Sequence, residues 1–120
     1  MCLGLLYDLS LGNPDVYVAV IDSAIEITHP EFADSVKAPF DAYANDNDPS
    51  PEPGEFCFEA ADTSLCDIHG TAVSGIAVAR ANNEEGIVGL CPECSLIPIK
   101  LLGEYYAPLS GDVAAFEHAI

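Results

Sequence analysis

The sequence predicts an α/β protein built on a mostly parallel sheet, and three stretches carry that expectation. "VYVAVID" (Val16 to Asp22) is apolar, rich in β-branched residues, preceded by the turn signal "GNPD" and closed by an acid. That is the pattern of a strand buried on both faces. "SLIPIKLLG" (Ser95 to Gly103) reads as a second buried strand, with Pro98 as a local irregularity. Between them "HGTAVSGIAVARA" reads as a helix, and a strand, helix, strand order with short returns gives parallel pairing.

In the helix opened by His69, Val73, Ile76, Ala77 and Arg80 recur at helical spacing, and the many small residues allow close approach to a sheet. From Ala38 to Cys66 the chain is rich in Pro, Asp, Asn and Glu and offers no regular element, so it is expected to be a long excursion loop. "SGDVAAFEHAI" begins a last helix, with Ser110 or Asp112 as its cap and Val113, Phe116 and Ile120 on one face. The pattern stops at Ile120 without a C-terminal cap, and two strands are too few to complete such a sheet. The expectation is therefore one domain, residues 1–120, that is part of a larger one.

At 120 residues, half of them hydrophobic and 19% charged, the chain has material for a single core. Three Lys and Arg stand against twenty Asp and Glu, a formal net charge of −17, which disfavours nucleic acid and anionic membrane surfaces. The acids concentrate in "FDAYANDNDPSPEPGEF" (Phe40 to Phe56) and "NNEEG", where they can bind cations, support solubility at high salt, or simply form solvated loops. No apolar run reaches the ~18 residues of a membrane span, and "MCLGLLYDL" lacks the basic start and length of a signal peptide.

Five cysteines are many for this length. "CPEC" (Cys91 to Cys94) is open to three readings: a zinc half-site, a redox pair or a small disulfide loop. Zinc would need further ligands, and Cys57 and Cys66 do not form a second such pair. The cysteine usage leans toward a disulfide-permissive, extracellular setting.

Taken singly, Asp22 after a strand and His69 at a helix start are ordinary turn or cap residues. Together they can meet at the carboxyl edge of one sheet, the edge where open α/β sheets place their chemistry. A carboxylate that accepts the Nδ1 proton fixes the histidine tautomer and turns Nε2 toward a nucleophile. That is two-thirds of a nucleophilic triad.

"VAVIDSAIEITHPEF" resembles the aspartate motif of the subtilisin-like serine proteases (subtilases), and "HGTAVSGIAVA" resembles their histidine motif. "NNEEGIVGLCPECSLIPIKLL" is similar to the loop and strand that follow the histidine in that family. The resemblance runs from about Val16 to Ile120. It implies a subtilisin-like three-layer fold, of which this is an incomplete N-terminal part, and a serine endopeptidase acting on peptide or protein substrates. By position, Asp22 is the orienting acid and His69 the general base, with the rest of the catalytic domain downstream as partner.

The chain departs from the family pattern at Ala24, where glycine is usual. If the backbone there needs positive φ, alanine costs about 1 kcal/mol or more. Ala72 stands at a variable position. The family's G-T-S-x-A nucleophile segment and its oxyanion asparagine are absent, and Ser23, Ser74 and Ser110 are not in that context. Without them the base has nothing to deprotonate, so the chain alone is expected to be inactive.

The resemblance also implies structural calcium, with Glu31 from "HPEF" and Asn83 and Glu85 from "NNEEG" as oxygen donors. Tyr105 and Tyr106 stand where the family lines a substrate subsite and are assigned no role. Two other readings remain: a noncatalytic protease-like interaction module, and a redox or metal protein resting on Cys91 and Cys94.

Overall fold

Strands of this composition need cover on both faces, and here two helices supply it. The computed structural model describes residues 7–32, 34–52, 69–102 and 109–120. Tyr105, Tyr106, Cys57 and Cys66 lie outside the described residues. β1 (Tyr17–Asp22) is followed by a 3-10 turn (Pro30–Phe32) and β2 (Phe40–Asp41). Then come α1 (His69–Val78), β3 (Ser95–Lys100) and α2 (Leu109–His118). The strands form one sheet in the order β1-β3-β2, and both pairings are parallel, as the sequence predicts.

Alternation along the strands separates the core into two layers. Val18, Val20 and Leu96 pack on Val73, Ala77 and Val78 of α1, with Ile25 and Phe32. Ile21, Ile97 and Ile99 face the other way, onto Ala115 and Ala119 beside α2. Helix, sheet and helix are thus stacked in three layers. Asp22, Lys100 and Asp41 share one register across β1, β3 and β2. By the same alternation they lie on the α1 side.

β2 is not announced by the sequence, because two residues are too few to show a period of two. A bridge between Val36 and Leu96 extends its pairing along β3. Pro98 does not interrupt β3. The Leu96 and Lys100 backbones bond toward the β2 side, so Pro98, of the same parity, faces the gap between these two patches. There the chain leaves the sheet at Ala38 (φ 40°), and the missing N–H falls where no ladder bond is needed.

β1 differs from the expectation of burial on both faces. Val20 is buried, but Tyr17 and Ala19 are exposed, because α2 packs over β2 and the cluster beside it reaches only Ile21 on the outer face of β1. Central β3 is buried nearly throughout. α1 ends at Val78, before Arg80. Its last carbonyls, on Gly75, Ile76 and Ala77, receive the N–H groups of Ala79, Leu90 and Cys91, so the returning chain closes the helix.

α2 begins at Leu109, which places Ser110 and Asp112 inside the helix and not at its cap. The face predicted to be buried is turned outward: Val113 and Phe116 are 51% and 61% exposed and Ile120 fully so, while Gly111 and Ala115 are buried. Cys91 and Cys94 are joined in a disulfide, the state shared by the small-loop and redox-pair readings of "CPEC" and not by the zinc half-site. Thiols bonded to each other do not ligate zinc. The loop is backed by Gly12, whose φ of 95° brings its α-carbon against both sulfurs.

Candidate active site at the sheet edge

β1 delivers Asp22 to the carboxyl end of the sheet, and two bonds fix it there. The Leu101 and Leu102 N–H groups, just beyond β3, donate to the Asp22 carbonyl at 2.8 and 3.2 Å. The Asp22 side chain turns back so that Oδ1 accepts the Ser23 N–H at 2.7 Å. His69, the first residue of α1, places Nδ1 2.6 Å from the same Oδ1. A carboxylate only accepts, so Nδ1 carries the proton, and the short distance marks a charge-assisted bond. Asp22 is largely covered, with 14% of its side chain exposed, whereas the His69 ring is 75% exposed. The acid is held and the base faces outward.

The helix that carries His69 is stitched to the loop after β1. The Gly70 N–H donates to Ser23 Oγ at 3.1 Å, and the Glu26 N–H donates to Thr71 Oγ1 at 2.9 Å. A helix start has unsatisfied N–H groups, and Ser23 supplies one acceptor from another segment. Gly70 must be glycine: a Cβ there would lie 2.6 Å from the Ser23 carbonyl oxygen, 2.7 Å from that of Ala24 and 2.9 Å from Ile25 Cγ1. "HGT" is therefore a docking surface that seats the histidine on the acid's own strand.

Ala24 is fully buried at this contact, and positive φ at non-glycine described residues falls at Asp34, Ala38, Asn45, Asn82 and Glu84. The strain that its alanine would cause under a left-handed backbone does not arise.

Glu31 and Asn83 are also brought together. Glu31 is buried in the 3-10 turn, and its carboxylate accepts the Ile87 N–H at Oε1 (2.9 Å) and Asn83 Nδ2 at Oε2 (3.2 Å). Its carbonyl accepts the Arg80 N–H at 3.1 Å. Gly86, at φ 48°, adopts a backbone conformation that side chains disfavour, and a Cβ there would push against the Glu31 carboxylate. Glu85 joins through its backbone N–H, 3.4 Å from Asn83 Oδ1. A carboxylate and a side-chain amide beside a turning loop are donor types that a hard cation takes, but here Asn83 turns its nitrogen toward Glu31 and its oxygen accepts the Glu85 N–H. Among the described residues, no group of three or more His, Cys, Asp or Glu stands together as a metal site.

One pair was not foreseen from the sequence. Lys100 and Asp41, each about 1% exposed, form a salt bridge at 3.4 Å one and two strands away from Asp22. The available signal was a single lysine inside the apolar run "SLIPIKLL" of a chain with only three basic residues.

The sequence matches the subtilase (peptidase S8) family profile over residues 13–119. This chain belongs to the subtilase family. It is 30% identical over 108 residues to a thermophilic serine proteinase of Bacillus sp. (strain AK1), covering 90% of this chain and 23% of that protein. It is 29% identical over 108 residues to the halolysin-like extracellular serine protease Nep of Natrialba magadii, covering 86% of this chain and 18% of Nep. The crystal structure of a serine protease of Aeromonas sobria superposes with a TM-score of 0.67 at 32% identity, covering 91% of this chain and 16% of that one. The subtilase chain spans less than a quarter of each of these relatives, and its fold is subtilisin-like. No helix among the described residues is long and apolar enough to cross a membrane.

Proposed function

We propose that this chain carries the acid and the general base of a serine endopeptidase with an Asp-His-Ser triad, Asp22 orienting and His69 accepting the proton. The observation that supports it most directly is the 2.6 Å bond from His69 Nδ1 to Asp22 Oδ1. With Nδ1 committed to the carboxylate, Nε2 is the ring atom that takes the nucleophile's proton, and Asp22 stabilises the imidazolium that results. The nucleophilic serine and the oxyanion asparagine come from a segment that these 120 residues do not contain, and the chain by itself hydrolyses no peptide bond. An extracellular site of action is supported by the disulfide and by the extracellular relative.

Structural calcium is part of the same proposal. Glu31 would hold the ion together with Asn83, whose amide would have to turn its oxygen where its nitrogen now meets Glu31, and Glu85 would be a further carboxylate from the loop. Its contribution would be to tie the 3-10 turn to the 83–87 loop. If so, calcium raises the thermal midpoint over a chelator and Glu31→Gln abolishes the difference; equal midpoints with and without calcium would exclude the site.

The noncatalytic reading loses one of its two motives, since Ala24 sits without strain. Labelling the native source with a fluorophosphonate serine probe tests the main reading. A labelled species that contains this sequence and exceeds 12.6 kDa supports it, and its labelling is lost on His69→Ala. An unlabelled native chain of this size refutes it.

A further inference from the structure

The Cys91–Cys94 disulfide takes no part in the Asp22–His69 site, yet the chain before β1 is arranged around its two sulfurs. The Tyr7 hydroxyl donates to the Gly89 carbonyl at 2.7 Å, and the Ser95 hydroxyl donates to the Pro14 carbonyl at 2.7 Å. Between them the Glu93 N–H, inside the bonded loop, donates to the Leu11 carbonyl at 2.9 Å. Gly12, at φ 95°, lays its α-carbon against both sulfurs, where a Cβ would collide with each. On its other side the pair is backed by the core: Cys94 is fully buried in the cluster of Val20, Val78 and Leu96, and Cys91 packs against it. The loop is also tied to the end of α1, because the Cys91 N–H donates to the Ala77 carbonyl at 2.8 Å and Arg80 Nη1 to the Pro92 carbonyl at 3.1 Å.

We infer that the Cys91–Cys94 disulfide is a redox-operated latch, which seats the segment from Tyr7 to Pro14 on the loop before β3 and releases it when the bond is reduced. A cross-link that closes so short a loop removes little entropy from the unfolded chain, so its main effect is local. Bonded sulfurs lie about 2 Å apart, whereas atoms that are not bonded need about 3.5 Å or more. With the core on one side and Cys91 tied to Ala77, the displacement on reduction falls on Gly12. The segment that Glu93 holds is lifted with it. Cys91 is partly exposed and Cys94 buried, so a thiolate of an external dithiol attacks Cys91 Sγ. The bond from that sulfur to Cys94 breaks as the new one forms, and Cys94 leaves as a thiolate that takes up a proton. The second thiol of the reagent then closes on the first and frees the Cys91 thiol. The reagent departs as a disulfide, oxidised by the two electrons that the cysteine pair has gained.

The test compares protein purified without reductant before and after dithiothreitol, with alkylation and mass measurement showing that Cys91 and Cys94 have been reduced. The Glu93 amide is expected to exchange about tenfold faster or more once reduced, and chymotrypsin to cut sooner after Tyr7. Amides within α1 and β3 keep their rates, and oxidised glutathione restores the starting state. In Cys91→Ala/Cys94→Ala the reagent no longer changes the Glu93 rate. Gly12→Ala keeps both cysteines and serves where that variant does not fold: with the disulfide intact, its Glu93 amide already exchanges fast. A Glu93 rate that stays the same with both cysteines reduced overturns the inference. So does an equal rise throughout α1 and β3, the behaviour of a staple for the whole fold. A response to dithiothreitol that survives in the cysteine variant assigns it to another cysteine, and slow exchange in Gly12→Ala removes the contact through which the latch acts; either result also overturns it.

Discussion

α1 and α2 are both ten residues long, yet they meet the sheet in opposite ways. α1 lies against β1 and β3 and buries a seam of Gly70, Ser74, Gly75 and Val78, with its larger Ile76 outside. α2 rests on the two-residue edge strand β2 through Gly111 and Ala115 and turns Val113 and Phe116 away. In both helices the small residues face the sheet. What differs is the platform: six-residue strands accept a whole helix face and bring its first residue to the carboxyl edge of the sheet, whereas a short edge strand covers only two positions. Helix periodicity shows that a face exists, and the neighbouring strands decide which face is used.

The largest expected effect that would break this contrast is at the α1 seam. Gly70→Ala improves helix propensity by about 1 kcal/mol, but the new methyl meets two backbone oxygens that cannot yield. The net outcome is a loss of about 1–3 kcal/mol in thermal or urea unfolding. Val113→Ala on the exposed face of α2 changes stability by less than about 0.5 kcal/mol. Equal effects at the two positions would show that the helices are seated alike.

α2 is held to the sheet in part by His118, whose Nε2 lies 2.8 Å from the Ala38 carbonyl oxygen and whose ring stacks 4.7 Å from Phe40. His118→Ala is expected to cost about 0.5–1.5 kcal/mol, and to speed amide exchange in α2 while α1 is unchanged. Faster exchange in α1 as well would mean that the two layers open as one unit.

A smaller effect sharpens the view of the α1 seam. The Ser74 hydroxyl is buried without a hydrogen-bond partner among the described residues. Ser74→Ala removes an unsatisfied group and is expected to leave stability unchanged or raise it by up to about 1 kcal/mol. A loss larger than that would reveal a partner for the hydroxyl.

The smallest effect belongs to the loop beside β2. Bonds from the Ser50 hydroxyl and then its backbone N–H hold the Asp48 carboxyl below its usual range. A lowered carboxyl stabilises the fold above the unfolded value near ~3.9, and the contribution fades as pH falls through the folded value. Asp48 is exposed, so the loss in Asp48→Ala is slight at neutral pH. It should converge with wild type in strong acid; a gap that widens there would contradict this sign.

Much of the site was legible in the sequence, because its parts are local. Asp22 closes an apolar β-branched run, and His69 opens a helix through "HGT", so strand end and helix start could be read without knowing their neighbours. Glu31 and Asn83 were named together through the family resemblance, and they do meet in the fold, through the Asn83 amide nitrogen. Lys100 and Asp41 were not: each is one charge in its own segment, and only pairing across β3 and β2 makes them a buried couple.

The sequence by itself determined the parallel α/β class, the strands of the acid and of "SLIPIK", and the helix that mounts the histidine. These depend on periodicity and steric size, which are properties of short stretches. The tertiary structure alone decided which face of each helix is buried, where β2 adds to the sheet, and that Pro98 falls in a gap. It also decided that Asp22, Lys100 and Asp41 share one register at the carboxyl edge of the sheet. Those outcomes depend on what lies within a few ångströms but far along the chain, and no local pattern encodes them.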